Sequence, residues 1–303
     1  MKRLKLLHII LLTVILFACS SESGEKSELS YKVITSLYPL EYIVQELGED
    51  FLEVETVTPP GADAHTYEPS TKKMIELAEA DFFIYIGEGM EAFSETLANT
   101  LKTEGVKSLE LSHYDDLFIS SNEEDEDHDH SEFDPHFWLD PTRMIIAGEI
   151  ILEQLNELYP EHKENFEDNF IQFKENMIEL DDYFQTSISQ LNNTQILVAH
   201  QAFNYWESKY GIQQLSIRGL SSSQEPSQKQ LQNIFQLIEK NNIDYIFLEK
   251  NRDDRLVSTI AEDLKLQVVY LHTLEARTED EVKEGLTYID LMLENLRVIT
   301  ESR

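Results

Sequence analysis

The 303-residue sequence carries 24 Lys+Arg against 58 Asp+Glu, a formal net charge of −34, with 41% hydrophobic residues and one cysteine. So acidic a chain repels phosphate backbones and anionic surfaces, which excludes nucleic acid as a partner, while it concentrates cations around itself. A single cysteine excludes an intramolecular disulfide, and the length suits two compact lobes rather than one.

Lys2, Arg3 and Lys5 precede an apolar run from Leu6 to Phe17, and Ala18-Cys19 follows. This is the charged, apolar and small-residue pattern of an export signal over residues 1–18, and the run is too short to span a bilayer comfortably. Leu16-Phe17-Ala18-Cys19 resembles a bacterial lipobox, with Phe17 untypical in its slot, which implies cleavage before Cys19 and lipidation of its thiol. Residues 19–30 are polar and suit a flexible tether between a lipid anchor and a folded body. The expected location is the extracytoplasmic face of a cell membrane.

Strands and helices then alternate. Tyr31–Leu37, Glu53–Thr58, Phe82–Gly87 and Val106–Leu111 have strand character, with helices near 39–48, 70–80 and 90–103 between them. A second set follows: strands Gln195–Ala199, Ile212–Ile217, Ile243–Leu248 and Gln267–Leu271, separated by helices near 201–210, 227–241 and 253–264. The two sets share a detail. Gly61 precedes Glu68-Pro69-Ser70, a helix and Asp81-Phe-Phe-Ile-Tyr85; Gly219 precedes Glu225-Pro226-Ser227, a helix and Asp244-Tyr-Ile-Phe-Leu248. Proline is expected to open each helix. The recurrence predicts two similar α/β lobes, at 31–160 and 192–303, each with a four-stranded, largely parallel sheet.

Between the lobes, Phe166, Phe170, Phe173, Met177, Leu180, Phe184, Ile188 and Leu191 recur at spacings of three and four on an otherwise polar segment. Taken over 161–191, this predicts a helix about 45 Å long. It is either a coiled-coil seam or, more economically, a rigid strut packed on both lobes of a monomer.

The histidines fall into two groups. His128 and His130 follow the acidic run Glu123–Asp127 and belong to a solvated loop suited at most to accessory metal capture. His136 lies between Asp134-Pro135 and Phe137-Trp138-Leu139, where proline and large apolar residues fix the backbone. Ligands of open α/β sheets bind beyond the carboxyl ends of the strands. His65 follows the second strand, His200 ends the fifth, and His272 and Glu275 follow the last. Three imidazoles and a carboxylate form a nitrogen and oxygen set suited to tetrahedral Zn²⁺, whereas calcium or magnesium would want more oxygens. His113 in a polar turn and His162 at the start of the strut are poorer candidates.

The segments Gly61-Ala-Asp-Ala-His65-Thr-Tyr-Glu-Pro69, Asp134-Pro-His136-Phe-Trp-Leu-Asp140, His200-Gln-Ala-Phe-Asn-Tyr-Trp-Glu-Ser-Lys-Tyr-Gly211, Glu225-Pro-Ser227 and Leu274-Glu275 resemble, in order, the metal-binding lipoproteins of bacterial zinc and manganese ABC importers, in particular the zinc-binding AdcA and ZnuA type. The resemblance implies two α/β lobes joined by a rigid helix, a metal in the cleft between them, and delivery to a membrane permease driven by an ATPase. It implies His65, His136, His200 and Glu275 as the metal ligands; histidine at 200 resembles the zinc members, where manganese members typically have a carboxylate. The acidic loop has only two histidines where many zinc members have a longer run. Ending at Arg303, the sequence is expected to leave no room for the additional metal-binding domain of some AdcA proteins.

A binding protein without catalysis is therefore the leading expectation. A manganese-binding member, a secreted zinc hydrolase using a spare carboxylate such as Glu249 as base, and an adhesin are the alternatives. No His-Glu-x-x-His or Gly-x-Ser-x-Gly supports the hydrolase. Glu249 is expected instead to pair with a neighbouring base or to orient a ligand histidine. Among His272, Glu249 and Glu275, charge favours a carboxylate in the fourth position, and Lys250 and Arg252 offer Glu249 other partners.

Overall fold

A computed structural model describes residues 31–87, 89–120, 133–250, 252 and 254–302; the expected signal peptide, Cys19, the tether, His128 and His130 lie outside them. Residues from Tyr31 onward form one compact unit. Strands β1 (Tyr31–Thr35), β2 (Leu52–Thr56), β3 (Phe82–Tyr85) and β4 (Lys107–Glu110) form a sheet in the order β2-β1-β3-β4, and every pairing in it is parallel. A two-stranded antiparallel ribbon follows, β5 (Ile119–Ser120) with β6 (Phe133–Asp134). The second sheet holds β7 (Gln195–Val198), β8 (Gln213–Ser216), β9 (Tyr245–Glu249) and β10 (Gln267–Leu271), again all parallel. Its order, β10-β9-β7-β8, is the first sheet's order taken from the opposite edge. The expected likeness of the two halves is therefore a likeness of topology. Parallel pairing requires a crossover after each strand and buries both faces of the sheet's middle, so the apolar, buried runs fall on the central strands β1, β3, β7 and β9 while the edge strands are more polar and exposed.

Helices cover those faces. Ile34, Phe83 and Tyr85 pack with Leu77, Leu97 and Leu101 on the outer side of the first sheet, and Leu197, Ile246 and Leu248 pack with Ile238, Val257 and Ile260 on that of the second. The inner faces share one continuous core, running from Val33, Phe82 and Ile84 through Trp138, Phe173 and Phe184 to Val198, Phe247 and Leu271. Its spine is the helix Lys163–Ile188, which at about 39 Å is somewhat shorter than the 161–191 strut expected, because Pro160–His162 forms a separate 3-10 turn. Phe166, Phe173, Met177, Leu180, Phe184 and Ile188 are buried along it, while Phe170 and Leu191 are half-buried at the margins. It contacts Tyr38–Gly48 and Pro141–Leu158 from the first half, and Asn204–Tyr210 and Tyr288–Glu301 from the second.

Two details correct the sequence reading. The paired helices begin at Thr71 and Gln228, with Ser70 and Ser227 as their N-caps, accepting hydrogen bonds from the Lys73 and Gln230 amides at 3.2 Å each; the prolines stand one residue outside. Serine's side-chain oxygen satisfies an orphan helix donor, which proline at the first helical position would leave to water. The second is Pro141–Leu158, an 18-residue helix capped by Asp140 and unforeseen from the sequence. It lies against the spine where Gly148 meets Phe170 and Phe173: a Cβ there would stand 2.9 Å from the Phe173 ring and 3.1 Å from that of Phe170. No helix among the described residues is long and apolar enough to cross a membrane.

The close approach at Gly148 leaves no room for a branched side chain. Gly148→Val should destabilise the protein by about 1–3 kcal/mol, the usual cost of overpacking a core. Equilibrium urea unfolding against the parent protein measures it; an unchanged midpoint would show that the two helices can part freely.

Candidate metal centre

The carboxyl ends of the strands converge on one buried point. His65 stands in the loop after β2, where its amide donates to the Asp63 carboxylate at 3.0 Å. His136 follows β6 and His200 comes two residues after β7. Glu275 lies four residues beyond β10, just after Leu274, a buried leucine held at φ 62°. That left-handed backbone costs energy for a leucine and is retained because its surroundings over-determine the loop. Trp138 Nε1 donates to the Thr273 carbonyl at 2.7 Å, the Tyr38 amide to Glu275 O at 3.1 Å, and the Gly61 amide to Arg277 O at 2.8 Å.

His65, His136, His200 and Glu275 are all buried, and one ligand atom from each lies within 4.8 Å of the others. Glu275 Oε1 is 3.9 Å from His65 Nε2 and 3.8 Å from both His136 Nε2 and His200 Nε2, so it caps a triangle of imidazole nitrogens. His136 Nε2 and His200 Nε2 are 3.4 Å apart. A tetrahedral zinc with bonds of about 2.0–2.1 Å has ligand–ligand edges of about 3.3 Å. One edge is thus already at that length, and the three from Glu275 Oε1 exceed it by about half an ångström. Two of the four atoms, His65 Nε2 and Glu275 Oε1, are buried with no hydrogen-bond partner. A buried polar atom without a partner is costly, and a cation is the partner this pair lacks.

Each imidazole is held from behind, which leaves its Nε2 facing the centre. His136 Nδ1 meets Asp134 Oδ1 at 2.7 Å, His200 Nδ1 meets Glu249 Oε1 at 2.5 Å, and His65 has a hydrogen bond with the Met90 backbone. Asp134 is itself fixed: its Oδ1 accepts the His136 amide, its Oδ2 accepts Asn204 Nδ2 at 2.9 Å, and its carbonyl accepts the Tyr205 hydroxyl at 2.6 Å. Carboxylates and carbonyls behind a ligating histidine set its tautomer and raise its basicity. The loop of His65 is also tied across to the second half, since Asp63 Oδ2 accepts from Ser222 at 2.9 Å and pairs with Arg252.

Burial and the neighbouring imidazoles push His65 well below the ordinary histidine value. Burial likewise lowers His136, against the pull of Asp134. At His200 burial acts downward too, but the Glu249 carboxylate outweighs it and the net shift is upward. Glu249 answers in kind: burial would raise it, yet its charge interaction and hydrogen bond with His200 bring it below the usual carboxylate range. Glu275 has no such bond, and burial pushes it up to about 8.

The other histidines among the described residues are placed elsewhere. His272 is buried, but Glu281 Oε2 lies 2.9 Å from its Nε2 and its Nδ1 accepts the Leu274 amide at 2.8 Å, so both ring nitrogens are occupied away from the centre. His113 is exposed, and His162 packs at a tilt against Phe51 with ring centroids 4.4 Å apart. The sequence reading assigned no role to Asp134, Asp63 or Met90. Asp63 and Asp134 had a visible signal, a carboxylate two residues ahead of His65 and of His136, and Met90 had none.

The sequence and the fold also have known relatives. The zinc-binding lipoprotein AdcA of Streptococcus pneumoniae is 34% identical over the whole chain, which spans 61% of that protein's length. The high-affinity zinc uptake system protein ZnuA of Bacillus subtilis is 28% identical, over 98% of this chain and 96% of its own. The crystal structure of the Zn(II)-bound ZnuA-like domain of S. pneumoniae AdcA superposes with a TM-score of 0.74 at 33% identity, covering 90% of this chain and 98% of that one. The family described as ZnuA, the periplasmic component A of the zinc-uptake complex, matches residues 33–302, and the chain belongs to it.

Proposed function

We propose that this protein captures Zn²⁺ outside the cytoplasm and delivers it to the permease of an ABC importer, with His65, His136, His200 and Glu275 as the four ligands. The carrying observation is the equidistant placement of Glu275 Oε1 over three imidazole nitrogens whose other ring atoms are engaged. Three imidazoles favour zinc over manganese in the Irving–Williams order. Four protein ligands also close a tetrahedral shell, whereas a catalytic zinc keeps one position for water. Glu249, the alternative general base, is committed to His200. Both features support a carrier in which zinc is cargo and no reaction is catalysed. The protein acts as a monomer, and a permease with its ATPase is the partner that such cargo requires.

Titration with zinc in competition with a chelator should show one tight equivalent, and manganese should fail to displace it. Glu275→Ala should weaken zinc more than Glu249→Gln, for which the loss of an orienting partner is worth about 10–100-fold. Glu275→Ala should also cost more than His272→Ala. If either rival cost more affinity in a folded protein, Glu275 would not be the fourth ligand.

The acid–base state gives a second test. Glu275, raised by burial to about 8, holds its proton at neutral pH in the absence of metal, and a zinc ion must displace it. A proton released on binding makes affinity rise with pH while the free group is still protonated. Zinc affinity should therefore increase by about tenfold per pH unit per proton released up to about pH 8 and level off above it. Calorimetry in buffers of different ionisation enthalpy reads the proton release, and its absence at pH 7 would count against a carboxylic acid at this position.

The proposed lipid anchor on Cys19 is separable from the site. Cys19→Ser should move the protein from the membrane fraction to the medium with zinc affinity unchanged. Retention in the membrane would point to another anchor.

A further inference from the structure

His272 stands outside the ligand set, yet each of its polar atoms is engaged. Asn295, on the helix Tyr288–Glu301, grips its backbone: the His272 amide donates to Asn295 Oδ1 and Asn295 Nδ2 donates to the His272 carbonyl, both at 2.7 Å. The ring faces two ways. Leu274 offers an amide N–H, so His272 Nδ1 is the acceptor of the 2.8 Å bond between them, and the ring proton belongs on Nε2, 2.9 Å from Glu281 Oε2. The same Glu281 oxygen accepts the Thr278 amide at 2.8 Å, as half of the capping box that opens the helix Glu279–Glu284. His272, Glu281 and Asn295 are all buried, so breaking one of these bonds leaves a polar group that water does not reach.

The bond from Leu274 falls where the loop is least able to hold itself. At φ 62° this leucine occupies the left-handed region, which an apolar residue with a Cβ keeps only when its surroundings impose it. Asn and Asp side chains support turns by accepting the amide two residues on; here a histidine ring does so, and its Nε2 carries the restraint on to Glu281. On either side of Leu274 the Thr273 carbonyl is held by Trp138 and the Glu275 carbonyl by the Tyr38 amide. The residue that follows the turn is Glu275. His136 and His200 are aimed by carboxylates behind their rings, whereas Glu275 Oε1 has no hydrogen-bond partner, so its direction depends on the backbone that carries it.

We propose that His272 is a positioning residue for the metal centre: by accepting the Leu274 amide while anchored to Glu281, it holds the left-handed turn that points Glu275 at the three imidazoles. The inference rests on the reading of Glu275 as the fourth zinc ligand.

The test uses the full chain and zinc chloride, with affinity read by chelator competition in single variants and in a double-mutant cycle with Glu275→Ala. His272→Ala should weaken zinc by about 10–100-fold, the range for a group that orients a ligand. On the Glu275→Ala background the same change should cost no more than about twofold, because the residue it positions is gone. His272→Asn, which restores an acceptor for the amide two residues on, should recover most of the loss. His272→Leu fills the space without an acceptor and should reproduce the alanine result, which preserves the comparison if the alanine variant does not fold. Unchanged affinity on removing the acceptor, an equal loss on both backgrounds, or no recovery with asparagine would overturn the proposal. Parent-like zinc binding by Glu275→Ala, or no tight binding by the parent protein, would instead overturn the reading of the centre.

Discussion

Two buried imidazole–carboxylate contacts, Asp134 with His136 and Glu249 with His200, are the constraint on which the centre depends. An imidazole rotates easily about its side-chain bonds, and a ligand set assembled from four distant loops would lose much of its affinity in ordering them. Fixing Nδ1 removes that freedom before the ion arrives. The same carboxylates settle the charge. Zinc with Glu275 alone would leave +1 among buried neutral rings, and Asp134 and Glu249 bring the formal sum to −1 within two shells. A desolvated divalent cation would be tolerable in this interior because counter-charges stand directly behind two of the proposed ligands.

The fold supplies those contacts from opposite halves. Asp134 comes from the β5–β6 ribbon and is gripped by Asn204 and Tyr205 of the second half, while Trp138 reaches the Thr273 carbonyl beneath Glu275. The Tyr288 hydroxyl in turn donates to the Trp138 carbonyl at 2.6 Å. These bonds lie within the single apolar core that includes Trp138, Tyr205, Leu274 and Tyr288. Two sheets of equal topology thus do not behave as two independent cores. The spine helix packs on helices from both, and any change in the angle between the sheets must deform a close-packed interior.

All eight strands of the two sheets, and six of the helices that cross over them, were legible in the sequence because short strand-like runs alternated with helical segments, three of which open at the caps Ser70, Ser227 and Asp254. The Pro141–Leu158 helix was missed, although Asp140 followed by Pro141 is a cap signature, because Ile145-Ile146-Ala147-Gly148 and Ile150-Ile151-Leu152 form nearly continuous apolar blocks without a clean stripe. The ribbon of two residues per strand has no periodicity to detect. At the centre, strand-end position narrowed the candidates but could not choose among His272, Glu249 and Glu275. The structure separates them by contacts across nine and forty-nine residues, His272 to Glu281 and His200 to Glu249, which no local pattern encodes.

The three histidines are not equivalent, and the difference follows from what stands behind each. His136 leans on a fully buried carboxylate and His200 on a largely buried one. His65 leans on a backbone group, and burial pushes it well below the ordinary histidine value. Its loop is secured instead by Asp63, whose carboxylate takes the His65 amide, Ser222 and Arg252 together, with Arg252 next to the buried Arg218–Asp254 pair. An ion pair exposed by about a fifth on each side is a weaker tether than a buried carboxylate on the imidazole itself. The shell therefore has two firmly set nitrogens, a carboxylate raised by burial, and one nitrogen whose support is the most yielding.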